Sequence, residues 1–222
     1  MPTIALEMPR PFSTRSLNYR PGRLLAGFLS FLAVTFLLAG CHRVMPANTV
    51  PLDSTGMNFS AIQALKSLNV TNAEVAQIVT AKQGGLSDNG CVALVRWARS
   101  RKEQFHTGEN VAQLLQAGVS ESTVLELAQL DQIGLWTGEA QAMRLAGLSD
   151  RIILEEARRR AVGQPVLSGA SLANFKNAGM SESALFQLVR RGVPDSDAAK
   201  IIALRRRGWS DARILRLFPG GH

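Results

Sequence analysis

One phrase recurs along this chain and limits what it can fold into. A glycine or asparagine is followed by an apolar residue, then Ser or Thr, then an acidic or amide residue. It reads Asn69-Val70-Thr71-Asn72, Gly85-Leu86-Ser87-Asp88, Gly118-Val119-Ser120-Glu121, Gly147-Leu148-Ser149-Asp150, Gly179-Met180-Ser181-Glu182 and Gly208-Trp209-Ser210-Asp211. Gly192-Val193-Pro194-Asp195 is a variant with proline in the cap slot. Gly and Asn tolerate the left-handed backbone that ends a helix. Ser and Thr accept from the free N–H groups that begin the next one, and an acid in its first turn meets the positive end of the helix dipole. Each phrase is a helix stop followed at once by a helix start.

The residues between the phrases agree. Counted from each Ser or Thr, apolar residues fall at +4, +5, +7 and +8, as in Cys91, Val92, Leu94, Val95 and in Leu185, Phe186, Leu188, Val189. That spacing makes one stripe on a helix. The unit at Ser149 departs, with Glu156 in its +7 slot. Weaker starts at Thr107-Gly108-Glu109, Thr137-Gly138-Glu139 and Ser168-Gly169-Ala170 stand 30 and 31 residues apart, within the size range of helical-hairpin repeats. No long run alternates with period two, so no strand is expected. About ten or eleven helices of this length are unstable alone and must pack on one another. The expected fold class is all-α: tandem short helical hairpins over residues 59–222, as an α-solenoid-like array or a compact helical globule.

Ahead of the repeats the chain changes character. Arg10, Arg15, Arg20 and Arg23 precede the uncharged segment from Leu24 to Leu38, which closes on Leu38-Ala39-Gly40-Cys41. A basic stretch, an apolar stretch and small residues are the three parts of a secretory signal. The last four residues resemble the lipobox of bacterial lipoproteins. That resemblance implies lipid attachment at Cys41, cleavage before it with recognition through Leu38, Ala39 and Gly40, and acylation of the new amine. Residues 1–40 are then a signal peptide and 41–58, with Pro46, Pro51 and Gly56, a flexible tether. Two acyl groups hold a protein stably on a membrane surface. His42, in place of the aspartate that retains some lipoproteins at the inner membrane, favours the outer membrane by the same resemblance.

The mature part has 182 residues, with 21 Lys and Arg against 16 Asp and Glu. Its surplus lies near the C-terminus, where eight basic residues between Arg190 and Arg216 face three acids. Arg190, Arg191, Arg205, Arg206 and Arg207 are the candidate anion-binding residues. Cys91 is then the only free cysteine, set among apolar residues as a core residue. His42, His106 and His222 stand apart, with no metal-ligand spacing. There is no Gly-x-Ser-x-Gly, P-loop or dinucleotide fingerprint. Glu155 and Glu156 are expected to pair with Arg159 and Arg160 on a solvated face, and Trp209 to pack as core or staple.

The turns loosely resemble those of ubiquitin-associated modules and of the helix-hairpin-helix DNA module. Ser120, Ser149 and Ser181 replace the second glycine of the DNA module, so the likeness is one of turn physics and no nucleic-acid partner is expected. Taken together, the sequence reads as a lipid-anchored envelope protein, not an enzyme and without cofactor or metal. It would serve as an interaction or structural module with a protein partner, or bind anionic envelope polymers or lipid headgroups through its basic end.

Overall fold

A computed structural model describes residues 46–219. The leader, the lipobox and Cys41 lie outside the described residues. Twelve α-helices follow one another, and among the described residues there is no strand. They are α1 (Val50–Ser54), α2 (Phe59–Ser67), α3 (Asn72–Gln83), α4 (Asp88–Ser100), α5 (Gly108–Gln116), α6 (Glu121–Gln129), α7 (Ile133–Leu145), α8 (Asp150–Ala161), α9 (Gly169–Asn177), α10 (Glu182–Arg190), α11 (Ala198–Arg206) and α12 (Asp211–Leu217). Consecutive pairs form six hairpins. Each helix packs on its hairpin partner and on the helices two before and two after it, so odd-numbered helices make one layer and even-numbered helices the other. Of the two arrangements left open by the sequence, this is the array.

Every hairpin turn uses the same device. Gly56, Gly85, Gly118, Gly147, Gly179 and Gly208 all take positive φ, from 74° to 108°. The following apolar residue donates its N–H to the carbonyl five positions back, as Leu86 does to Ala81 and Met180 to Phe175. This is the double closure that satisfies the last carbonyls of a helix. The apolar residue then plugs the space between layers: Met57, Leu86, Val119, Leu148 and Met180 are buried, and Trp209 is half-buried. Asn58, Ser87, Ser120, Ser181 and Ser210 each accept from the N–H three residues on. Gly56-Met57-Asn58 is thus the first turn of the series. The helical array begins at Val50, inside the stretch read from sequence as tether, because Leu52 and Met57 enter the core.

The start expected at Thr137 is displaced. Asp131, at φ 59°, ends α6, and α7 begins at Ile133 with no side-chain cap. Thr137 lies inside that helix, where its hydroxyl donates to the Ile133 carbonyl and accepts from Asn110 Nδ2. The mid-helix turn of Thr-Gly-Glu mimics a cap because a Ser or Thr hydroxyl serves either end of a helical bond.

The hairpins alternate between two kinds of joint. Loops 101–107 and 162–168 have seven residues each, as does 191–197 with its short 3-10 turn, and the first two drive Phe105 and Leu167 inward. Each of these residues needs an acceptor for its buried N–H. Glu74 accepts from Phe105 at 2.9 Å, and Glu156 from Leu167 at 3.2 Å. Just past these loops, Gly108 and Gly169 open α5 and α9 against the backbone of α3 and α7. A Cβ there would stand 2.1 Å from the Gln77 carbonyl oxygen or 2.5 Å from that of Glu139. Side chains complete the contact, with Gln77 Oε1 accepting from Gly108 N–H at 2.8 Å and Glu139 Oε2 from Gly169 N–H at 2.9 Å.

The two buried carboxyls differ in kind. Burial pushes Glu74 up, but the Arg99 fork at 2.7 Å, then the N–H groups of Thr71 and Phe105, outweigh it and hold the group at about 2. Glu156 has no such fork. Burial dominates and pushes it up to about 8, against the weaker pull of Leu167 N–H, Arg159 and Arg160. The solvated pairing expected for Glu156 is therefore corrected: its side chain is fully buried, and its Oε2 has no hydrogen-bond partner among the described residues. The helix turned this way because +7 faces the core, as Leu94, Leu127 and Leu188 do. Arg160 pairs instead with Glu139 at 3.1 Å, and Glu155 meets Arg158 at 4.0 Å.

Candidate interaction surface

The first-turn acids of the recurring phrase turn out to bridge hairpins. Asp88, Glu121, Asp150, Glu182 and Asp211 each accept the N–H of the cap residue in the preceding hairpin: Asn58, Ser87, Ser120, Ser149 and Ser181, at 2.9–3.3 Å. Lys82, Arg144 and Arg205 sit beside Asp88, Asp150 and Asp211 at 2.5, 3.8 and 3.5 Å. The Lys82 ammonium and the Asn58 N–H hold Asp88 below the ordinary aspartate value. For Asp150, burial is outweighed by bonds from Ser120 and Thr123 and by the Arg144 charge, so it too is lowered. These acids are committed to the joints and neutralise little of the remaining surface.

Several arginines are committed as well. Arg205 donates to the carbonyls of Ala178 and Gly179 and to that of Trp209. Arg191 donates to the carbonyls of Leu215 and Phe218 at the end of α12. Arg159 does the same for Arg190, reaching its carbonyl at 3.1 Å. Of the five arginines singled out from sequence, Arg191 and Arg205 thus close helix ends, while Arg190, Arg206 and Arg207 are exposed. They do not gather in one place. Arg190 and Arg191 border the even-numbered layer, whereas Arg206 lines a separate hollow of about 420 Å³ between α9 and α11 of the odd-numbered layer.

The even-numbered layer carries the larger feature. Between α8 and α10 lies a groove of about 690 Å³ lined by Arg151, Ile152, Phe186, Gln187, Arg190 and Arg191, with Glu182 and Ser183 at one end. On its far side, between α10 and α12, a second hollow of about 530 Å³ shares Gln187 and Arg191 and adds Leu215, Arg216 and Pro219. The Arg151 guanidinium lies 3.6 Å from the centroid of Phe186, and Arg190 approaches the same ring at 5.9 Å. Cation–π contact of this kind fixes a guanidinium plane while leaving its N–H edge free. No family model and no curated protein matches the chain. The site is therefore read from its own chemistry, which is basic and aromatic-braced.

Sequence reasoning missed Arg151 because it lies outside the C-terminal basic cluster. The available signal was positional: Arg151, two residues past the cap Ser149, faces Phe186 across one repeat. His106 is exposed with Nδ1 2.9 Å from the Gln104 carbonyl, while His42 and His222 lie outside the described residues. Among the described residues, no three His, Cys, Asp or Glu side chains stand together in a metal-holding group. Cys91 is buried, and burial pushes its thiol up to about 12. Trp136 is core, and Trp209 is half-buried with Arg213 stacked over it at 3.6 Å.

Proposed function

We propose that this chain is a lipid-anchored module of the bacterial envelope that holds a protein partner on the even-numbered face of its helical array. The observation that carries the reading is a division of labour among charged side chains. Most acids and many arginines close joints between hairpins, yet neither Arg151 nor Arg190 has an ion pair with a described residue, although both rim the groove between α8 and α10. Arginine is enriched where proteins dock, and here Arg151 and Arg190 are exposed and braced on the Phe186 ring. Attachment to the membrane rests on the lipobox resemblance at Leu38-Ala39-Gly40-Cys41, and no described helix is long and apolar enough to cross a bilayer.

A photocrosslinking residue tests it. Placed at Gln187 in the full chain within cells, it should capture a discrete envelope protein, while the same residue at Arg206 on the opposite layer should not. Lipid-only crosslinks, or equal capture from both faces, would refute the module. The anchor is tested separately: Cys41→Ala should abolish lipid labelling and leave a larger precursor, and a variant that matures and labels normally would refute it.

A further inference from the structure

Resting on that reading, we infer that the groove between α8 and α10, continued between α10 and α12, binds an extended acidic segment of about six residues with a carboxylate at every second position. Length follows from the fold. Packed helices stand about 8–10 Å apart, so a path across three of them covers about 18 Å, or five to six extended residues. Charge follows from the rim: Arg151, Arg190 and Arg216 are exposed. The acid at the groove, Glu182, already accepts the Ser149 N–H at 3.3 Å. The apolar residues of the lining stay inside, since Ile152 and Leu215 are buried and Arg151 covers Phe186, so the segment is held through its carboxylates. An extended chain presents every second side chain to one side, so carboxylates at alternate positions face the arginines together.

The same geometry argues against other anions. A sugar ring stacks on an open aromatic face, and here Arg151 lies over Phe186 at 3.6 Å. A bilayer presents a broad surface, whereas the free arginines line a furrow between helices. A guanidinium held by a ring offers a planar fork, which fits a carboxylate with two parallel bonds.

The test uses the full chain in detergent and a fluorescent peptide alternating Glu with Leu over eight residues. The Glu/Leu peptide should bind at least tenfold more tightly than its Gln/Leu counterpart, and binding should weaken as salt rises. Arg151→Gln with Arg190→Gln should weaken it about tenfold, and Arg206→Gln with Arg207→Gln should leave it unchanged. Equal loss in both double variants would mean unspecific charge and would overturn the inference. Binding of phosphatidylglycerol vesicles or polyphosphate in place of the peptide would overturn the peptide assignment. In that case a persisting crosslink from Gln187 to a protein leaves the module intact, and its loss removes both.

Discussion

Glu156 offers the most demanding test of the fold, because it predicts that replacing a fully buried residue stabilises the protein. Its carboxyl is ordinarily half-ionised at 4.5 and is pushed to about 8 in the folded chain. Below 4.5 both folded and unfolded chains carry the proton and no penalty arises. Between 4.5 and about 8 the unfolded chain releases it while the folded chain keeps it, so stability falls as pH rises through that window. At about 1.4 kcal/mol per pH unit, the loss is on the order of 3 kcal/mol by pH 7. Glu156→Gln keeps an oxygen to accept from Leu167 N–H and removes the titration. The variant should match the parent near pH 4.5 and exceed it by about 3 kcal/mol at pH 7, a melting gain of roughly 6–12 °C for a chain this size. Circular dichroism melts of the full chain in detergent between pH 4.5 and 8.5 measure it. A variant less stable at pH 7, or a difference that does not grow with pH, would refute the assignment of Glu156 as a neutral buried acid. Glu156→Leu separates the two roles, since it also orphans the Leu167 N–H, at a cost of about 1–3 kcal/mol.

Glu74 should behave in the opposite sense. Its carboxyl lies at about 2, so its contribution is present above 4.5 and disappears as pH falls through about 2. Glu74→Gln should lower stability by on the order of 3 kcal/mol at pH 7 and by little near pH 2, read from denaturant melts. Gly108→Ala places a methyl against the Gln77 carbonyl and should cost about 1–3 kcal/mol. Gly138→Ala, with open space around it, should be neutral or stabilising by up to about 1 kcal/mol; equal effects would refute the close approach of α3 and α5. Cys91, buried with its thiol pushed to about 12, should resist maleimide at pH 8 until denaturant is added.

Much of the architecture was legible because turn chemistry is local. A glycine, an apolar plug and a hydroxyl cap define a hairpin turn within four residues, and five of the six turns were read in this way from Gly85 to Ser210. Asn58 hid the first, since the cap there is an amide and the tether composition around Pro51 masked Leu52. The start of α7 was illegible for the opposite reason: Gln132 gives no capping bond, and Thr137 imitates one. What could not be read was where side chains go after the hairpins stack. Asp88 and Glu121 were credited with their own helix dipoles, while the structure spends them on the preceding hairpin. Arg191 and Arg205 looked like surface charge and serve as helix ends. Arg151 and Phe186 meet only because one hairpin places α8 beside α10.

The alternating joints give this molecule a step size. Ser120-Glu121-Ser122 returns as Ser181-Glu182-Ser183, 61 residues on, and Gly-Leu-Ser-Asp at 85–88 returns at 147–150. Glutamate spans the joints whose partners stand 33 or 34 residues apart and aspartate those 30 apart. Excising residues 121–181 would set Ser120 directly before Glu182 and present each carboxylate with a partner of the right reach. Excising a single hairpin would pair a long arm with a short gap. Lineages of this array are thus expected to lengthen or shorten by even numbers of hairpins, as a chain with two kinds of link must be cut between like links.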